Sequence, residues 1–145
     1  DKTNTFDRGK VPENQMAGWP ELREMANYGI EIGAHTLDHP KLTLLSRIEV
    51  MRQIKESRRI LEEKLNLVVK VLSYPYGDFN HRVAKMVERC GYQAAVTVHL
   101  GLATPDRSRF KMKRISVSGE YTRELFASWL ENAGKISKKG RKSNE

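Results

Sequence analysis

Four short runs of strand-type residues, IEIGA (30–34), VVKVLSYP (68–75), YQAAVTV (92–98) and FKMKRISV (110–117), alternate with segments of helical spacing. This alternation constrains the fold more than any other feature of the chain. Strands joined through helices run parallel, so it predicts an α/β fold built on a parallel sheet with crossover helices. At 145 residues the chain suffices for one domain and is too short for two ordinary ones. The helices carry their own punctuation. In WPELREMANYG (19–29), Pro20 suits a first turn, Leu22, Met25 and Ala26 share a face, and Gly29 can close the end. In SRIEVMRQIKESRRILEEKLN (46–66), Ser46 and Glu49 have capping-box spacing, and Val50, Met51, Ile54, Leu61 and Leu65 recur at helical intervals. Asn80 can cap a helix whose Val83, Val87 and Cys90 form a stripe before Gly91. Thr122 can cap a last helix that buries Leu125, Phe126, Trp129 and Leu130. No internal repeat is visible.

Composition removes several classes of function. With 39% hydrophobic and 30% charged residues, the chain has the make-up of a soluble globular domain, and no apolar run approaches the roughly 20 residues that span a bilayer. Cys90 is the single cysteine, which excludes an intrachain disulfide and a cysteine-based zinc cluster. Any metal must be held by histidines and carboxylates. The net charge of +8 invites a nucleic-acid reading, yet Lys135, Lys138, Lys139, Arg141 and Lys142 against Glu145 place half of it in the last segment. Such a polar stretch cannot bury enough apolar surface to order itself. The expected organisation is an irregular segment over 1–18, one α/β domain over 19–133 and a basic disordered tail over 134–145.

Two loops follow strands on the side where parallel sheets place their chemistry. GAHTLDHPKL (33–42) carries His35 and His39 four residues apart. A neutral imidazole is a good ligand for zinc and other divalent ions, and two at this spacing reach one ion if the backbone between them turns. Thr36 and Asp38 could then orient the rings through their other nitrogens. The alternative is a pair of solvated loop histidines. YPYGDFN (74–80) reads either as a plain turn, with Pro75 ending the strand and Gly77 and Asp78 bending it, or as a loop fixing the Tyr76 backbone N–H where it could bind a developing oxyanion.

From Trp19 to Val117 the ordered series WPELREMANYGIEIGAHTLDHPKLT, SRRILEEKLN, VLSYPYGDFN, GYQAAVTV and RISV resembles the polysaccharide deacetylases, the family-4 carbohydrate esterases with the NodB-homology domain. The resemblance implies a partial (β/α) barrel of that type, with its first strand–helix units missing from this chain. It implies hydrolysis of N-acetyl or O-acetyl groups on a polysaccharide, in particular an N-acetylglucosamine polymer, with a divalent ion as cofactor and zinc placed first. His35 and His39 become metal ligands, Tyr76 the donor of the oxyanion N–H, and Tyr74 and Pro75 parts of the sugar groove. An extracellular or cell-envelope location comes with the resemblance.

The family's Thr-Phe-Asp-Asp block, source of the base and the third ligand, has no good counterpart. TFDRG (5–9) puts Arg8 where a ligand should stand and leaves too little chain before Trp19 for the helix and strand the family inserts. It is read as a coincidence, and the acidic block is expected upstream of Asp1. A missing N-terminal segment or a second protomer would then complete the domain, and this chain alone would be weakly active or inactive. Ser73 stands where many members have an arginine that orients the base; Arg114 of RISV is the candidate substitute. The family's Leu-Xaa-His acid is also absent; His99 is the nearest imidazole, and both it and His81 read as solvated histidines. Two other readings remain: a small-amide hydrolase of the same superfamily, and a basic non-catalytic protein that binds nucleic acid or an anionic cell-wall polymer, which the concentration of charge in the tail disfavours.

Overall fold

The computed structural model describes residues 16–103, 109–117, 119 and 121–139, the last seven as backbone only. Helix α1 (Trp19–Asn27) begins with Pro20 in its first turn and Gly18 N–H donating to the Glu21 carboxylate at 3.0 Å. Helix α2 (Arg47–Leu65) starts at Ser46, whose hydroxyl accepts the Glu49 N–H at 3.2 Å, and ends at Asn66 in the left-handed region. Strand β1 (Val71–Ser73), helix α3 (His81–Arg89), strand β2 (Ala94–Leu100), strand β3 (Met112–Arg114) and helix α4 (Arg123–Lys139) follow. Asn80 and Thr122 cap α3 and α4 through bonds from Val83 N–H at 2.9 Å and Leu125 N–H at 3.2 Å.

The sheet has the order β1-β2-β3 with every pair parallel, as crossover connections require. Beside β1 runs the segment expected to be the first strand. Only Ala34 of IEIGA pairs, bridging Leu72, with Ala34 N–H to Val71 O at 2.9 Å and Ser73 N–H to Ala34 O at 2.8 Å. Residues 30–33 form no ladder for two reasons. Ile30 donates its N–H back to Met25 O to close α1, and no described strand lies on the far side of this segment. Gly33 lets the chain approach β1 closely, since a Cβ there would sit 3.2 Å from Val71 O.

The core lies between this sheet and α2 and α3. Leu42, Val50, Ile54, Val69, Leu72, Val83, Val87 and Ala95 are fully buried in it, joined by the rings of Tyr74 and Tyr92. One expectation fails at the C-terminus. Leu125, Phe126 and Leu130 are exposed and Trp129 is half-buried, because no described element covers that face of α4. The helix itself runs through Lys139. TFDRG and its Arg8 lie outside the described residues. Among the described residues, no helix is long and apolar enough to cross a membrane.

Candidate functional site

His35 directly follows the bridge at Ala34, so its position is set by the sheet. Its ring lies over the end of β1, with Nδ1 2.8 Å from the Ser73 carbonyl oxygen. A carbonyl only accepts, so Nδ1 carries the proton and the lone pair is left on Nε2, the tautomer that a metal-binding histidine adopts. The chain then turns sharply: Thr36 has φ 67° and His39 φ 54°. Both lie in the left-handed region, uncommon for side chains of this kind and concentrated at functional sites. The Thr36 hydroxyl accepts the His39 N–H at 3.1 Å, closing the turn. As a result the two imidazoles meet edge to face, with ring centroids 4.6 Å apart and planes at 70°.

The second loop leaves β1 as a single 3-10 turn, Pro75–Gly77. Tyr76 has φ 57° and Gly77 φ 65°. The turn is closed by Gly77 N–H to Tyr74 O and Asp78 N–H to Pro75 O, both 2.9 Å, and neither bond uses the Tyr76 N–H. The Tyr76 ring is 55% exposed and packs on His39 with centroids 4.5 Å apart and planes at 65°. The ammonium of Lys41 sits 5.9 Å from its centre. Asp78 locks the two loops together, its carboxylate accepting the Thr43 N–H at 2.8 Å and the Thr43 hydroxyl at 2.9 Å.

Burial, and after it the neighbouring His35, hold the His39 pKa below its ordinary 6.5. A neutral imidazole is the state in which histidine binds a metal. The sign of the pH effect follows from the same shift. The unfolded chain takes up this proton at higher pH than the folded one, so stability is lost as pH falls below 6.5. The thermal midpoint of the metal-free chain should decline as pH drops through this range, and His39→Ala should flatten the decline.

The structure separates the remaining candidates. Tyr74 is 1% exposed; its ring stacks on Phe79 at 5.0 Å and its hydroxyl donates to the Phe110 carbonyl at 3.0 Å. Burial pushes its hydroxyl pKa far up. Pro75 is buried as well. Neither offers a surface to a ligand, so both hold the Tyr76 turn from beneath instead of lining a groove. Replacing Tyr74 with Phe should cost about 1–2 kcal/mol in a denaturant titration, by leaving the Phe110 carbonyl unpaired, without changing metal affinity. Arg114 is exposed on β3, two strands from β1 but at the same C-terminal end of the sheet. His99 is exposed near the end of β2, with its ring 5.8 Å from Phe79, and His81 is exposed at the start of α3. Asp38 does not orient a histidine ring: its carboxylate accepts from Gln53 at 2.7 Å and from Arg52 at 3.3 Å.

Gln53 was missed by the sequence analysis. Its amide oxygen accepts the N–H groups of Leu37 and Asp38 at 3.0 and 3.1 Å, inside the histidine turn. The available signal was a polar residue three positions after Val50 and next to Ile54, within the stripe that α2 buries. Among the described residues, no group of three or more histidines, cysteines or carboxylates could hold an ion. His35 and His39 are thus two imidazole donors, of the kind that could share a divalent cation, standing side by side.

The sequence profile of one family, polysaccharide deacetylase, matches residues 3–95, beginning upstream of Trp19. YxkH of Bacillus subtilis, named for polysaccharide deacetylase function, is 30% identical over 112 residues, which are 77% of this chain and 40% of that protein. The poly-beta-1,6-N-acetyl-D-glucosamine N-deacetylase of Staphylococcus epidermidis is 30% identical over 118 residues, 75% of this chain and 41% of that protein. This chain thus spans less than half the length of either. Among solved structures, the Streptococcus pyogenes deacetylase PplD in complex with acetate superposes with a TM-score of 0.74 at 23% identity, covering 84% of this chain and 53% of PplD. The α/β fold with its parallel sheet is accordingly part of a deacetylase-type (β/α) barrel.

Proposed function

The chain belongs to the polysaccharide deacetylase family, and on that premise we propose that it carries the metal-binding and oxyanion-binding part of a site that hydrolyses N-acetyl groups on an N-acetylglucosamine polymer. The observation that carries this reading is the contact series His35, His39, Tyr76, in which two imidazoles and an exposed aromatic ring meet at the C-terminal end of the sheet. His35 and His39 would hold the ion, with zinc placed first. A divalent ion bound there would supply Lewis-acid polarisation of the acetyl carbonyl and a water of lowered pKa.

This chain's own residues do the rest of what it contributes. The Ser73 carbonyl keeps His35 in the tautomer that binds through Nε2. The left-handed backbone at Tyr76 fixes its N–H as the donor for the oxygen that becomes negative during attack on the acetamide. The exposed Tyr76 ring offers a face for the sugar, and Arg114 orients the base from the same end of the sheet. The base itself and the third, acidic ligand come from outside the described residues.

Further strand–helix units, in the same protein or a second protomer, complete the domain. Three observations support this: the matched part of the chain covers only 40% and 41% of these two relatives, no described strand pairs with the outer side of 30–33, and α4 exposes Leu125, Phe126 and Leu130. The polymer is named from the staphylococcal relative, and the cell envelope follows as the place where such polymers lie. Acetate release from β-1,6-linked N-acetylglucosamine oligomers tests the reading. The chain alone should be near background. Joined to the strand–helix units that complete the domain, it should release acetate, stop with a chelator, and lose activity in His35→Ala. Undiminished release by that variant would overturn the assignment.

A further inference from the structure

We propose that Gln53 is a positioning residue for the metal-binding histidines, setting the distance between His35 and His39 through the backbone that joins them. The inference rests on the metal-site reading above and adds to it a residue of α2 that touches neither ring.

Gln53 is 2% exposed, on the face of α2 turned to the core, where a polar side chain is costly unless it is fully bonded. It is fully bonded. Its oxygen takes the N–H groups of Leu37 and Asp38, the two residues between the left-handed Thr36 and the left-handed His39. Its amide nitrogen donates to Asp38 Oδ2 at 2.7 Å and to Glu49 Oε1 at 3.2 Å. Arg52 braces both carboxylates from outside, at 3.3 Å and 2.6 Å.

Three of these four bonds tie the amide to the middle of a turn whose two ends are His35 and His39, and the fourth, to Glu49, anchors it on α2. The chemistry is specific to an amide, the neutral group that accepts two N–H bonds and also donates to a carboxylate. Glutamate would keep the acceptor but set a carboxylate against Asp38, its closer partner, and against Glu49. Leucine would leave both N–H groups unpaired, and the turn would relax toward ordinary φ values, carrying the histidines apart.

The test is a titration of the chain with Co²⁺, read by its visible absorption, and with Zn²⁺ by displacement of cobalt. Wild type, His35→Ala, Gln53→Leu, Gln53→Glu and the double variant Gln53→Glu with Asp38→Asn are compared, each well below its own unfolding temperature. Gln53→Leu should bind about 10–100-fold more weakly, the range found for groups that orient ligands, with an altered cobalt spectrum. Gln53→Glu should also weaken binding, and adding Asp38→Asn should recover most of it, because the donor and acceptor are then exchanged across the pair. The glutamate variants carry the test if Gln53→Leu does not fold. A purely structural glutamine would shift the unfolding temperature and leave the affinity and spectrum of the folded protein unchanged, which would overturn the proposal. If wild type and His35→Ala bind equally, the histidine site itself is refuted, whatever the Gln53 variants do.

Discussion

Gly77→Ala is expected to destabilise the chain by about 2–5 kcal/mol, combining the cost of a left-handed alanine with that of pressing its Cβ against a strand backbone. Gly77 has φ +65°, and a Cβ there would run into the Val98 side chain and lie 2.9 Å from the Val98 backbone nitrogen. The Val98 side chain is exposed and can rotate away, but its backbone nitrogen belongs to β2 and gives only if the strand itself shifts. Gly29 supplies the control. Its φ is +86° but nothing lies within 4 Å of its absent Cβ, so Gly29→Ala should cost only about 1–2 kcal/mol. Urea titrations of both variants separate the two contributions. Since native stability is about 5–15 kcal/mol in total, Gly77→Ala should remove a large share of it.

The second large effect concerns the ion. His35→Ala should weaken Zn²⁺ or Co²⁺ binding by about 100-fold or more, since even a group that merely orients a ligand is worth about 10–100-fold. Substitution removes a ligand whose ring is already aimed by the Ser73 carbonyl and set against His39. His81→Ala and His99→Ala should bind as wild type does, because those rings stand apart from the pair. Competition against a chromophoric chelator reads all three variants under one set of conditions.

The parallel α/β arrangement was legible because its signals are local. Ser46, Asn80 and Thr122 each cap the helix that their position announces, and the period of Val50, Ile54 and Leu65 faces the core. The failures occur where a segment depends on a neighbour. IEIGA has the residues of a strand, yet a strand needs a partner, and among the described residues only Ala34 has one. Leu125, Phe126 and Leu130 have helical spacing, yet nothing described covers them. Tyr74 and Tyr76 are the same residue type two positions apart, and composition cannot say which faces inward. The left-handed turn at Tyr76 decides it, sending Tyr76 out over His39 and leaving Tyr74 under the sheet end. The histidine pair was visible from its spacing, whereas the backbone turn that closes it depends on Thr36 and Gln53, which spacing alone does not connect.

Convergence of His35 and His39 on one cation is the claim from which the functional reading follows. Anomalous diffraction at the zinc edge, from crystals grown with zinc, measures it without any assay of activity. The account predicts a single strong peak at about 2.0–2.1 Å from one ring nitrogen of each histidine, beside the Tyr76 turn. A peak bound to only one of the two rings, or zinc held elsewhere with both rings unligated, would contradict it.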